Sequence, residues 1–188
     1  MLLKSISLHC LGLLTLFLWG CGSQESTQNN SDEDSTGKKT QNTEVMLDVH
    51  TFAKPQEAVM THLDLDIAVD FKSKKIKGKA TITIDNKTGT EEIFLDSKAL
   101  KIEKVTLGKE ETATEFKVAP PFEAMGEQVS IQIKPDTKIL TVYYETSPKA
   151  EALQWLNPQQ TAGKEHPYLF TQSQAILARS WVPCQDSP

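Results

Sequence analysis

The sequence predicts an all-β fold over residues 44–188, a sandwich of antiparallel or mixed β-sheets. Three observations carry this expectation. Two long runs alternate apolar and polar residues at period two, shorter strand-like segments follow at close spacing, and no segment sustains a helical period. The first run sets Val59, Thr61, Leu63, Leu65, Ile67, Val69 and Phe71 against Met60, His62, Asp64, Asp66, Ala68 and Asp70. That pattern is a half-buried strand with one face on a core. In the second run Ile76, Gly78, Ala80, Ile82 and Ile84 alternate with Lys77, Lys79, Thr81, Thr83 and Asp85. The short link Lys72–Lys75 predicts that the two runs pair antiparallel.

The remaining elements follow in order. Asn86 to Thr90 (Asn-Lys-Thr-Gly-Thr) carries turn chemistry. Strands are expected at Glu92–Asp96, Leu100–Leu107, Glu115–Val118, Val129–Ile133 and Ile139–Thr146, with turns at Pro120-Pro121 and Pro135-Asp136. The last strand, ILTVYYET, is apolar on both faces, which predicts a central strand covered on both sides. No internal repeat is evident.

The chain ahead of this domain has a different texture. Met1–Lys4 is a short basic region, and Ile6 to Trp19 is mostly Leu, Phe and Ile. The stretch is shorter than the roughly 20 residues of a membrane span and suits the apolar part of a signal peptide, residues 1–20. Leu18-Trp19-Gly20-Cys21 resembles the lipobox of bacterial lipoproteins, although Trp19 departs from the smaller residue usual at its position. The resemblance implies acylation of Cys21 and a lipid membrane as partner. Two or three acyl chains, at ~0.8 kcal/mol per buried CH₂, hold far more firmly than one. Gly22 in place of Asp after the Cys implies an outer-membrane address, and the acidic run at Ser31–Ser35 either directs the protein to the cell surface or is merely a soluble spacer. The alternative is an ordinary secretory peptide cut elsewhere.

Residues 21–43 form a polar tether. Between Gly22 and Thr43 there is no aliphatic or aromatic side chain, and Ser31–Ser35 holds an acidic cluster. Such a segment cannot bury enough surface to offset its ordering entropy. As a flexible coil it spans roughly 25 Å on average and about 75 Å at most. Removing residues 1–20 takes out Lys4 alone, leaving 19 basic and 25 acidic residues and a net charge of −6. With no basic stripe interleaved with aromatics, nucleic acid is excluded as a partner. Processing would also remove Cys10 and acylate Cys21, leaving Cys184 without a disulfide partner.

The chemistry-bearing residues lie in the last 38 positions. ALQWL at Ala152–Leu156, TAGKEHPYLF at Thr161–Phe170, QSQA at Gln172–Ala175 and PCQDSP at Pro183–Pro188 follow one another without a gap. In this order they resemble the zinc aminopeptidases of the aminopeptidase N and leukotriene A-4 hydrolase type, leaning to the latter branch. Asp48–Ala53 and Thr61–Asp66 look like that family's entry into its N-terminal β-domain. The resemblance implies a saddle-shaped β-sheet sandwich lying over a catalytic domain, with several strands after PCQDSP. The loop bearing QSQA would face the active site, Gln174 holding the substrate's α-amine and Gln172 serving as a weaker second contact. From composition alone these two are solvated or turn-capping glutamines.

The family's zinc site is His-Glu-x-x-His with a further Glu downstream, which puts two His on one helical face and a base between them. The four histidines here, His9, His50, His62 and His166, are followed by Cys, Thr, Leu and Pro. No such site is present, so the expectation is no cofactor and no catalytic residue in this chain, with zinc in a full-length parent. On this expectation the chain is an N-terminal fragment, silent alone, its partners being the parent's missing catalytic domain and, through it, peptide substrates. The alternative is a stand-alone lipoprotein used as a non-catalytic binding or scaffold module. His166 before Pro167 reads as turn or core packing, and Cys184, with no positioned His base, as a buried structural thiol. Trp155, Tyr168, Phe170 and Trp181 read as core or interdomain packing. Asp186 is expected to tie down a backbone turn.

Overall fold

The computed structural model describes residues 48–187. The segments expected to be a signal peptide and a polar tether, with Cys21, lie outside the described residues, as does Pro188. Ten strands occur in the order β1 (Ala58–Asp70), β2 (Lys75–Asn86), β3 (Glu92–Ser97), β4 (Lys101–Leu107), β5 (Thr112–Ala113), β6 (Phe116–Val118), β7 (Glu127–Gln132), β8 (Ile139–Glu145), β9 (Leu153–Leu156) and β10 (Tyr168–Thr171). The predicted all-β class holds, and every strand pairing among the described residues is antiparallel. A five-stranded sheet in the order β1-β2-β8-β4-β5 faces a three-stranded sheet in the order β3-β7-β6, with β9 and β10 as a separate hairpin.

The core lies between the two larger sheets. Ile82, Ile84, Val105, Leu140 and Val142 from the larger sheet meet Ile93, Leu95, Val129 and Ile131 from the smaller one. These side chains sit at every second position of their strands, so the period-two pattern is what fills the interior. A second cluster (Ala80, Leu100, Tyr144, Val182 and Cys184) extends the core under the C-terminal segment. A third (Ile76, Ala150 and Leu153) seats the β9–β10 hairpin.

The first hairpin forms as the sequence predicts, with two refinements. Asp70 accepts hydrogen bonds from the backbone of Lys72 (2.8 Å) and Ser73 (3.2 Å), which fixes the turn. The alternation along β1 is interrupted: Met60 pairs with Ile84 but His62 pairs with Thr83, so Thr61 is an inserted bulge residue. Met60 and Leu63 therefore pack on the same core clusters, and the single unbroken phase expected from Val59 to Phe71 is corrected. Gly78, opposite Ile67, lets the two backbones close, since a Cβ there would lie 2.1 Å from the Asp66 carbonyl oxygen.

Strand β8 is central, third of five, yet among the described residues it is covered by a layer on one face alone. Leu140, Val142 and Tyr144 on the inner face are fully buried. Ile139, Thr141, Tyr143 and Glu145 face the other way, where long charged side chains take the place of a second sheet. Lys104 Nζ lies 4.3 Å from the Tyr143 ring centre, and the Tyr143 hydroxyl donates to Glu111 at 2.7 Å. That donation, with Lys79 and Lys104 near by, holds the Glu111 carboxyl below its ordinary range. Lys77 bonds Glu103 at 3.0 Å, and Lys75 bonds Glu145. The apolar stems of these lysines cover what the sequence pattern assigned to a second layer.

Pairing of the sheet edges is uneven. Residues 179–184 close one edge: Asp96 N donates to Cys184 O at 2.7 Å, and Lys98 N donates to Arg179 O at 2.8 Å. Beyond Met60 the outer edge of strand β1 is unpaired among the described residues, with Leu65 and Val69 of β1 and Phe71 just after it partly exposed (36 %, 41 % and 40 %).

Candidate functional site

The loop that carries Gln172 and Gln174 is positioned by the hairpin. Leu153 pairs with Thr171 and Leu156 with Tyr168, and Gln172 N adds one more rung to Ala152 O at 2.9 Å. The hairpin's inner side chains Trp155 and Leu169 pack on Ile76, Ala150 and Leu153, which anchors it to the larger sheet. Its connection, Asn157 to Pro167, begins with a 3-10 turn at Pro158–Gln160, where Asn157 N donates to the Gln160 side chain at 3.0 Å. The Thr161 hydroxyl then holds Pro158 O (2.8 Å) and His166 O (3.0 Å) together. His166 is exposed, and its carbonyl accepts the Thr161 hydroxyl, in keeping with a turn role.

Both glutamines are exposed, but they are not equivalent. The Gln172 side-chain oxygen accepts the Gln174 N–H at 3.1 Å, so it braces the loop. The Gln174 side chain makes no hydrogen bond among the described residues, which leaves its amide available to a ligand. Between them Ser173 is half-buried; its carbonyl accepts Leu177 N–H at 2.8 Å and its hydroxyl accepts Trp181 Nε1–H at 3.1 Å. The chain then turns at Ala178–Ser180, where the Ser180 hydroxyl donates to Leu177 O (2.8 Å) and accepts Ala152 N–H (3.0 Å).

Under this loop lies a buried ionic clasp that sequence reasoning missed. Arg179 is fully buried and donates to Met125 O (3.0 Å), His50 O (2.8 Å), Asp186 O (2.8 Å) and Asp186 Oδ2 (3.0 Å). Asp96, also fully buried, lies 3.6 Å from the guanidinium and accepts Phe52 N–H (2.8 Å), Asp186 N–H (2.9 Å) and the Thr51 hydroxyl. Asp186 does tie down a turn, through Arg179 N at 3.2 Å, and it also supplies half of the countercharge. One signal was present in the sequence: Arg179 is the sole arginine beside nineteen lysines. A planar five-donor fork is what a buried multidentate position requires and an ammonium cannot supply. Gln185 was missed as well. Its amide accepts Met60 N–H (2.8 Å) and donates to Ala58 O (3.0 Å), pairing with the backbone of β1 as a strand residue would.

The titratable groups near the loop do not form a catalytic set. Cys184 is buried, and desolvation, with Asp186 and Asp96 close by, pushes its thiol well above the ordinary range, so it is not a nucleophile. Among the described residues no group of three or more His, Cys, Asp or Glu side chains could hold a metal ion. The described residues therefore do not fit a zinc site, and no step through zinc is assigned to them.

Comparison with known proteins accords with this architecture. The chain is 38% identical over 156 residues to leukotriene A-4 hydrolase of Xenopus laevis, covering 76% of this chain and 24% of that protein. It is 34% identical over 148 residues to leucine aminopeptidase 2 of Aspergillus niger, covering 75% and 24%. Leukotriene A4 hydrolase from Saccharomyces cerevisiae superposes with a TM-score of 0.68 at 31% identity, over 76% of this chain and 23% of that one. The M1 zinc metallopeptidase of Deinococcus radiodurans shares the fold at a TM-score of 0.52 and 14% identity, over 74% and 32%. The chain thus spans about a quarter (24%) of the length of the curated relatives it matches. Residues 59–188 match the model of the Peptidase M1 N-terminal domain, and the chain belongs to that family.

Proposed function

We propose that this chain is the amine-recognition part of a lipid-anchored zinc aminopeptidase that removes N-terminal residues from peptides. The observation that carries the reading is the exposed Gln174 amide, without a partner among the described residues, on a loop braced at Gln172 and Ser173. An amide oxygen accepts a hydrogen bond from an ammonium without adding a further charge, and such a bond is worth roughly 1.5–3 kcal/mol. Holding a free α-amine at a fixed distance from the scissile bond restricts cleavage to the chain's first residue. Gln172 supports this contact by fixing the Gln174 backbone. The zinc of the whole enzyme would be held by residues this chain does not contain.

The test is Gln174→Ala in the longer protein. A loss of roughly 10- to 100-fold in kcat/KM is expected from the energy above. An unchanged kcat/KM removes Gln174 from the site. An immunoblot of source-cell membranes against the Glu123–Lys138 region addresses the longer protein itself. A band several-fold heavier than 20.9 kDa is expected, and a single band near that mass refutes the enzyme reading in favour of a stand-alone binding module.

We further propose that Cys21 is acylated and holds the protein in the bacterial envelope, at the outer membrane or cell surface. The sequence Leu18-Trp19-Gly20-Cys21 before an uninterrupted polar tether supports this. Substitution Cys21→Ala should move the mature protein from the membrane fraction to the soluble one. Retention in the membrane would rule out this anchor.

A further inference from the structure

We propose that Trp181 is a positioning residue for Gln174, acting through Ser173; the inference rests on the reading of Gln174 as the amine contact. Tryptophan has a single hydrogen-bond donor and no acceptor. In Trp181 that donor is directed at the hydroxyl of Ser173, 3.1 Å away, the residue between the two exposed glutamines. The ring that carries it is half-buried and packed on two sides. Trp181 packs against both the cluster containing Leu100, Tyr144 and Cys184 and the cluster containing Ile76 and Leu153. The indole therefore transmits the position of the domain core to the middle of an otherwise exposed loop.

The pairing is not automatic for a buried indole, since Trp155 Nε1 is buried and has no partner. Nor is Ser173 held by other side chains among the described residues. With Gln172 N on Ala152 O at 2.9 Å, Gln174 N on the Gln172 side chain at 3.1 Å and Leu177 N on Ser173 O at 2.8 Å, the backbone around Gln174 is fixed from both sides. The Ser173 hydroxyl is the point at which that frame is pinned to the core. Loss of the pin would leave Gln174 chemically intact but free to sample positions from which its amide misses the ammonium. A pre-organised acceptor loses less conformational freedom on binding than a mobile one, so the pin should act on amine binding.

The experiment compares Ser173→Ala, Ser173→Thr, Trp181→Phe and Gln174→Ala, singly and paired, in the full-length peptidase. S173A and W181F should each lower kcat/KM by about three- to tenfold, chiefly through KM, the range set by one hydrogen bond. S173T, which keeps the hydroxyl, should restore the value. The loss should vanish when S173A is placed in the Q174A background, because the two act on one contact. For a competitive inhibitor bearing an α-amine, Ki should rise by the same factor, whereas Ki for its desamino analogue should not move. Should W181F fail to fold, S173A carries the test with the ring in place. Wild-type behaviour of S173A in an enzyme where Q174A is impaired overturns the positioning role alone, as does an S173A loss that adds to that of Q174A. Wild-type behaviour of Q174A overturns the reading beneath it.

Discussion

Replacing Arg179 by Met should cost about 3–5 kcal/mol of stability, and the number follows from what the guanidinium holds. The side chain is fully buried, and its charge faces Asp96, also fully buried, and Asp186, whose side chain is 11% exposed. Methionine fills the volume but leaves both carboxylates without a countercharge, the situation in which one partner of a buried ion pair is removed. Asp96 retains Phe52 N, Asp186 N and the Thr51 hydroxyl as donors, which keeps the loss towards the lower end. Against a typical domain stability of 5–15 kcal/mol this is a large fraction. With a urea m-value of about 2 kcal/mol/M, the midpoint should fall by roughly 1.5–2.5 M. Urea titration of the purified chain, followed by the fluorescence of Trp155 and Trp181, measures it. Adding Asp96→Asn to Arg179→Met should cost less than the sum of the two single changes, because it removes one of the stranded charges. A midpoint shift below about 0.3 M for the single variant would refute the clasp as a stabilising unit.

Two further outcomes follow from the packing. Gly78→Ala should cost about 1–3 kcal/mol, since its Cβ would lie 2.1 Å from Asp66 O and 2.7 Å from Ile67 Cα; an unchanged urea midpoint would refute the close approach. Stability should also fall with rising pH above about 8.5, because burial raises the Cys184 thiol and the Tyr144 phenol, which therefore ionise in the unfolded chain first. Their contribution is complete below the unfolded values and is lost above them at up to about 1.4 kcal/mol per pH unit and proton. Cys184→Ala should flatten the first part of that decline, and an unchanged slope in the variant would rule out Cys184 as its source.

The strands of the two larger sheets were legible because a sheet with one buried face writes its orientation at every second residue. Strands β2 and β7 carry that signal most clearly; β3, with Ile93, Phe94 and Leu95 buried in a row, and β8, apolar on both faces, were marked by unbroken apolar runs, and the strand ends shift by a residue or two. The hairpin of β9 and β10 was not read as strands, since each is four residues long and eleven residues separate them. Two-residue β5 has no period to display. The Thr61 bulge was hidden because Thr fits either face of a strand. The second face of β8 misled for a different reason: an alternation of apolar residues cannot distinguish a covering sheet from covering lysine stems. For the proposed site, motif resemblance singled out Gln172 and Gln174 but could not show that one braces the other. That distinction lies in a 3.1 Å hydrogen bond and not in residue type.

The clasp around Asp96 also decides how the domain would carry mechanical load. Residues 48–52 and 184–187 meet over β3, and the Ser187 hydroxyl bonds the Asp48 side chain at 2.8 Å. The described polypeptide thus enters and leaves at one point. A pull applied between residues 48 and 187 would bear on Asp48, Asp96, Asp186 and Arg179 and leave the sheet ladders unloaded. The rupture force should then depend on that handful of polar bonds, and the β-sandwich behind them should extend only after they have parted.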